Sequence, residues 1–536
     1  MSRHRTSKLR PGTEALETRQ LMAASLRGVD IDGDRWTLRL VGPGDLSVTN
    51  QPDSNDDPVP LKTPGLIDTI SISGTDPQKS RLVGTVRRAS GGDGRIYFAQ
   101  MQQFGGRSPT FNGSNLGTWA VDMPNFYLGQ TSTSTTAADP EIRLAFGVAT
   151  LRFGGVDTTF TPPGGTPLNQ NNSSDNFNVR LGLPFTWGTS IVVDQITTSA
   201  QAAVGTGQPT QDGVNFRVHG RLNVFQANQI QGNAQIPSSG FLNGGGTVVF
   251  ATPDRGDVVD EVISSAGEAA DQNLPGAIGC VRVGGNVTNF SVLSSDRISN
   301  YYVGGETSNV NILAPQGTRY VAFGTGMDDV IIRTSFIDSL QANRGAVGSN
   351  VTSSQHIGRI TIGGDVVNTT VLAGYKQDLD RIFTTQTPPT QDAPAQSTAS
   401  INNILIAGDV ENSIFAASVQ PFDDRFDLDQ SLLFPHSFIN AKVEGKITND
   451  VVTPAKPNQA FYAKEITLTH GPVNPPNVPV PPFSHPNQPP NGKRIVNGLQ
   501  PSGPAKPIAA IAAAVAAAKR KARLAAGSNH APADNI

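Results

Sequence analysis

Carboxylates are the residues of this chain whose types and spacing most readily suggest chemistry. Phe422-Asp423-Asp424-Arg425-Phe426-Asp427-Leu428-Asp429 holds four of them within seven residues. Ca²⁺ takes about six to eight oxygen ligands. Asp423, Asp424, Asp427 and Asp429 are therefore the candidate calcium ligands, set against the plainer reading of a solvated acidic loop. Asp30, Asp32 and Asp34 start like a calcium loop, but Arg35 stands where the sharp-turn glycine belongs and Val41 where the closing Glu belongs, so the stretch reads as a turn. Gly91-Gly92-Asp93-Gly94 is similar to a calcium-binding nonapeptide, yet it occurs once and lacks the second Asp, and it too reads as a turn. The seven histidines include no pair at metal-ligand spacing, and there is no nucleophile elbow, phosphate loop or His-Glu-x-x-His. The lone Cys280 excludes a disulfide framework and any cysteine-based zinc or dithiol site.

The elements that must position these groups announce themselves as a repeat. Between 277 and 454 one phrase recurs six times: Val281-Arg-Val283-Gly-Gly-Asn-Val287-Thr-Asn289 and its counterparts around Val303, Phe323, Ile362, Ile406 and Val443. With these six residues as position zero, the spacings are 20, 20, 39, 44 and 37, so each long gap hides a degenerate turn or an extruded loop. Position minus two (Val281, Tyr301, Val321, Ile360, Ile404, Ala441) and position plus nine (Val292, Ile312, Ile332, Val371, Phe415, Val452) are apolar throughout. Apolar residues two apart are the mark of a strand with one buried face. Glycine at plus one and plus two predicts a tight corner with positive φ. Plus six is Asn289, Asn309, Asp329, Asn368, Asn412 and Asn449, which predicts a stacked polar ladder. Asp365 and Asp409 sit at corners beside glycine, where turn formation is their ordinary role.

Strand, corner and ladder together predict an all-β chain built as a right-handed parallel β-solenoid over 277–470, with Val283, Val303, Phe323, Ile362, Ile406 and Val443 in one core column. Residues 28–276 are β-rich but less regular, and either a degenerate solenoid or a sandwich fits them. Leu151-Arg-Phe153-Gly-Gly and Ile70-Ser-Ile72-Ser-Gly match part of the repeat without the ladder residue. Twelve prolines across 471–507 forbid helix and interior strand and predict an extended linker. From Ile508 to Ala518 an Ala-rich run, followed by Lys519-Arg520-Lys521-Ala522-Arg523, predicts a basic helix and tail over 508–536. Its eleven apolar residues are too few for a bilayer, which needs about 20.

Net charge is −3 over 536 residues, and only 16% are charged. The body, 28–465, carries 28 basic against 41 acidic residues, or −13, while both ends are basic. Nucleic-acid binding requires clustered positive charge and is not expected of such a body. The basic segment 1–27 lacks the apolar run of a secretory signal. Its residues Arg10-Pro-Gly-Thr-Glu14-Ala-Leu16-Glu17-Thr-Arg19-Gln-Leu21-Met22-Ala23-Ala24-Ser25 nonetheless resemble the short leader, with a Leu-Glu-x-Arg-x-Leu-Leu core, of planctomycete extracellular proteins, with Met22 in place of the second Leu. The Gly-Gly-Asp-Val-x-Asn repeats resemble stretches of the same proteins. The resemblance implies export to the cell surface or matrix.

The expectation is therefore a non-catalytic structural or adhesive protein without a cofactor, calcium at the acidic loop aside. Its partner would be envelope polysaccharide or a surface protein, held by the loops Tyr375–Ser400 and Gln420–Ser437. One alternative is a polysaccharide lyase or hydrolase on a β-helix, although no Arg or Lys recurs beside Asp365 and Asp409. Another is a scaffold that docks an envelope protein through the C-terminal helix.

Overall fold

In the computed structural model, the described residues are 24–51, 59–76, 79–106, 119–130, 140–144, 148–160, 176–181, 189–198, 200–202, 209–211, 213–219, 221–231, 247–252, 277–294, 296–375, 399–420, 432–433, 436–448 and 460–474. They contain no helix, and 33 strands join one mostly parallel hydrogen-bonded network. Asn449, Asp423, Asp424, Asp427 and Asp429, the leader up to Ala23 and the tail beyond Asn474 lie outside the described residues.

The chain begins antiparallel. Strand β1 (Ala24–Val29) pairs with β2 (Arg35–Val41), and β2 pairs with β5 (Arg81–Arg87). Strand β3 (Asp45–Asn50) pairs with β4 (Ile67–Thr75). Thus Ala24–Arg27, placed with the leader on sequence grounds, belong to the first strand of the sheet. From there the pairing turns parallel in two long ladders, with a short third one that runs from Ile230 through Val287 to Thr307 and from Met327 through Ala346, Val366 and Val410 to Ile447. The first runs from β5 through β7 (Ala120–Gly129) and β9 (Thr150–Asp157) to Thr189–Thr197, Leu222–Gln231 and Ile278–Val283. The second runs from β4 through β6 (Ile96–Gly106) and β8 (Glu141–Leu144) to Asn176–Leu181, Gly213–His219, Thr247–Thr252 and Val287–Ser294. Both ladders cross residue 277 without interruption, so the irregular half and the repeat half share one stack.

Register makes the columns explicit. Met123, Phe153, Val193, Ala227, Val283, Val303, Phe323, Ala342, Ile362, Ile406 and Val443 are successive partners in the first ladder. None of them is more than 2% exposed. Ala342 explains the 39-residue gap: Leu340-Gln-Ala342-Asn-Arg-Gly-Ala346-Val-Gly348 is a complete turn that keeps apolar residues at minus two and zero but has Asn343-Arg344 for the glycine pair and Gly348 for the ladder residue. The two later gaps hold no further turn, because Ile362 pairs directly with Ile406, and Ile406 with Val443.

The column at plus nine belongs to the second ladder and ends differently from expectation. Phe415 pairs with Phe461, and Val452, the residue expected at that place, lies outside the described residues. Phe415 and Phe461 stack at 5.1 Å. The fragment around Ile70 also proves to lie in this ladder, with Ile70 over Met101 and Ile142, while Leu151 and Phe153 lie in the first. Their sequences look alike because both ladders present alternating apolar residues to one core.

At plus one and plus two the corners work by other means than the expected positive φ, which none of Gly284, Gly285, Gly304, Gly305, Gly363 and Gly364 adopts. Left-handed backbone occurs instead at the ladder position: Asn289, Asn309, Asp329, Asn368 and Asn412 have φ of 54°, 51°, 49°, 49° and 47°, and Gly348 fills the same place in the degenerate turn at 60°. Asn and Asp tolerate this region better than other side chains, which explains the plus-six column. The glycines at plus two serve close approach. A Cβ on Gly305 would lie 2.4 Å from the Gly285 carbonyl carbon, and one on Gly408 would lie 2.4 Å from that of Gly364.

Candidate functional site

The amide ladder is partial. Asn309 Nδ2 donates to Asn289 Oδ1 at 2.6 Å, but Asp329 and Gly348 interrupt the run of amides, and a Cβ on Gly348 would meet Asp329 Oδ1 at 2.5 Å. Two further columns that sequence reasoning passed over also tie turn to turn. At plus three, Asn286 Oδ1 accepts from the Glu306 amide at 2.9 Å, Asp365 Oδ1 from the Asp409 amide at 2.8 Å, and Asp409 Oδ1 from the Lys446 amide at 2.7 Å. Asp365 and Asp409 thus staple consecutive corners in addition to shaping their own. At plus seven, the buried hydroxyls Ser349, Thr369 and Ser413 accept from the amides of Val330, Ser349 and Thr369 at 3.1, 3.4 and 3.0 Å. The recurring Ser, Thr, Ser at that offset was the available signal, hidden because earlier turns place Phe290, Val310 and Val330 there.

The stretch holding Asp423, Asp424, Asp427 and Asp429 lies outside the described residues; the segments that flank it, Val419–Gln420 and Leu432–Leu433, pair antiparallel. Tyr375, at the root of the other long loop, is fully buried with Leu372, Ala416 and Tyr462.

Carboxylates do meet elsewhere, in a place assembled from the two stretches read separately as turns. The β2–β5 register sets Arg35 opposite Arg87, so the turn before β2 lies against the turn after β5. One oxygen from each of Asp32, Asp34 and Asp93 comes within 4.8 Å of the other two. Asp34, fully buried, accepts from the Ala89 amide at 2.5 Å and the Gly94 amide at 2.6 Å; Asp32 Oδ2 accepts from the Asp93 amide at 2.9 Å. Gly92 is required here, because a Cβ would lie 1.9 Å from Asp34 Oδ1. Asp30 bonds the Ile31 amide and is 3% exposed. Burial pushes its carboxyl up to about 7, the Ile31 amide opposing and the charges of Asp32, Asp93 and Asp34 adding to the rise.

Chemically, the cluster cross-links two turns through carboxylate-to-amide bonds, and its three carboxylates supply part of the oxygen set a hard cation takes. The sequence could not reveal it, since Asp34 and Asp93 are far apart along the chain and only strand pairing joins them. No family model, no curated protein and no solved structure matches this chain.

Proposed function

We propose that the protein is an exported, non-catalytic, right-handed parallel β-solenoid that serves as a structural or adhesive element of the cell surface or extracellular matrix. The observation that carries this reading is the continuity of the stack: one core column passes through eleven successive strands from Met123 to Val443 while the loops between turns vary in length. Such a body is a stiff rod whose backbone and core are set by its own repeat, which suits spacing and display. Right-handedness follows from the strong bias of parallel crossover connections. The leader resemblance supports export, and the edge strand starting at Ala24 requires any leader removal to fall before that residue.

The test is surface proteolysis of intact source cells followed by fractionation and N-terminal sequencing of the protein. Accessibility from outside supports the reading; recovery of a protease-resistant chain in the cytosol refutes it. Sugar release from acidic or neutral polysaccharides that disappears in Asp423→Ala or Asp427→Ala would establish the enzymatic alternative instead.

A further inference from the structure

The two ends of the stack are finished differently. At the start, the turn at 61–65 lies along β1: the Val29 amide donates to the Leu61 carbonyl at 3.1 Å and the Gly65 amide to the Val29 carbonyl at 3.3 Å, so the outer edge of the first strand is partly taken. At the finish, the first ladder runs one strand beyond Val443. Glu465–His470 pairs with Phe438–Val443, setting Ile466 on Ile439, Leu468 on Ala441 and His470 on Val443. Ile439, Ala441 and Val443 are at most 1% exposed, whereas Ile466 is 38% and Leu468 40% exposed, so the core columns end in the open. No other strand among the described residues pairs with Glu465–His470. The amides of Glu465 and Gly471 donate back to the Ser437 and Val443 carbonyls. Backbone groups alternate in direction along a strand, so Ile466, Leu468 and His470 turn theirs toward the open edge. The second ladder is covered at this end, with Phe461 and Tyr462 buried, which confines the opening to the one strand.

We propose that this edge is a dimer interface, in which the Glu465–His470 strands of two copies pair antiparallel about a two-fold axis at Thr467. Folded proteins block exposed edges with Pro, Lys or a bulge, and Glu-Ile-Thr-Leu-Thr-His holds none of these. The strand is also complementary to itself. Pairing about Thr467 brings Ile466 opposite the partner's Leu468 on the core face, and Thr467 opposite the partner's Thr467 and Glu465 opposite the partner's Thr469 on the outer face. Lys464 and the partner's His470 fall at the ends, outside the apolar pairs. Ile466 and Leu468 both turn their backbone groups to the open edge, so this register joins them as hydrogen-bonded pairs. Centring on Ile466 would instead set Leu468 against Lys464, and centring on Leu468 would set Ile466 against His470. The chain's own tail suits the edge less well: eleven prolines over 475–507 bar a strand there, and a helix over 508–518 has no free backbone groups to pair with one. Head-to-tail growth would need the edge of β1 that the turn at 61–65 already occupies. Two rods joined this way present their N-terminal ends outward, and the pairing holds whatever the cellular location.

The experiment is sedimentation equilibrium on the purified full chain. Twice the chain mass is expected, in a concentration-dependent equilibrium that stops at the dimer. Leu468→Lys puts a charge into the pairing face at a side chain already exposed in the single chain, so it should fold and weaken dimerisation at least about tenfold. Val347→Lys, the same change at an exposed residue elsewhere on the stack, should leave dimerisation unchanged. Cysteine substitution reads the register. In a Cys280→Ser background, Thr467→Cys should form an intermolecular disulfide under mild oxidation, because the two-fold axis brings the two Cα atoms to about 4.5 Å. Thr469→Cys should not, since its counterpart lies about 14 Å away. A monomer at about 100 μM, growth beyond the dimer, an L468K dimer as tight as the parent, equal weakening by V347K, no cross-link in T467C, or a cross-link in T469C as ready as in T467C each overturns the proposal.

Discussion

Replacing Asn368 separates the two reasons a polar residue can recur at plus six. Its φ is 49°, and its amide donates to the Glu411 carbonyl at 3.0 Å, so its backbone helps join two turns. An alanine must hold left-handed backbone at a cost of about 1–2 kcal/mol, whereas glycine adopts it freely and gives back only part of the gain through unfolded-chain entropy. Asn368→Ala should therefore destabilise by about 1–2 kcal/mol, and Asn368→Gly by well under about 1 kcal/mol. At Asn309 the side-chain bond to Asn289 adds a second loss, so Asn309→Gly should cost about 0.5–1.5 kcal/mol. Because a long stack can open one region at a time, the assay is native-state hydrogen exchange at Val366–Thr370 rather than a single global melt. Asn368→Ala should speed exchange there by about 5–30-fold. Equal acceleration in Asn368→Gly would refute the backbone argument and return the column to its side-chain amides.

Ile362→Ala and Phe461→Ala remove fully packed members of the two core columns and should cost about 2–5 and 3–5 kcal/mol in urea unfolding; a near-neutral Phe461→Ala would show that Phe461 does not close the plus-nine column. The Tyr301 hydroxyl is buried without a hydrogen-bond partner, and burial raises its pKa, so Tyr301→Phe should leave stability unchanged or raise it by about 1 kcal/mol, a loss counting against that placement. Gly155 has φ of 151°, and a Cβ there would lie 1.8 Å from the Gln195 carbonyl oxygen, so Gly155→Ala should cost at least about 2 kcal/mol or abolish soluble expression. Asp34→Ala should cost about 2–5 kcal/mol by stranding two amides, as measured by urea midpoint against the parent. Asp30 keeps its proton to about pH 7 when folded but releases it near 3.8 when unfolded, so the native state binds more protons in between. Stability contributed there should fall by about 4 kcal/mol as pH rises from about 4 to 7 and level off above. Asp30→Asn should flatten that slope, and identical pH profiles of the two proteins would contradict the burial of Asp30.

Alternation with a period of two, glycine at the corners and a fixed plus-six residue are local properties, and they were enough to point to parallel stacking and to put Val283, Val303, Phe323, Ile362, Ile406 and Val443 in one column, though not to place Ala342 among them. A strand with one apolar face has few ways to bury it, and a repeated strand buries it most simply against its own copy. Non-local geometry decided the rest. Ala342 and Gly348 occupy column and ladder positions with residues that carry no repeat signature, so only the pairing of Phe323 with Ala342 and of Ala342 with Ile362 reveals that turn. Which ladder a short apolar fragment joins, as with Ile70 against Phe153, depends on strand pairing because both ladders face the same core. Asp34 meets Asp93 only after strands far apart in sequence have paired, since no local pattern encodes the distance between residues that a fold brings together.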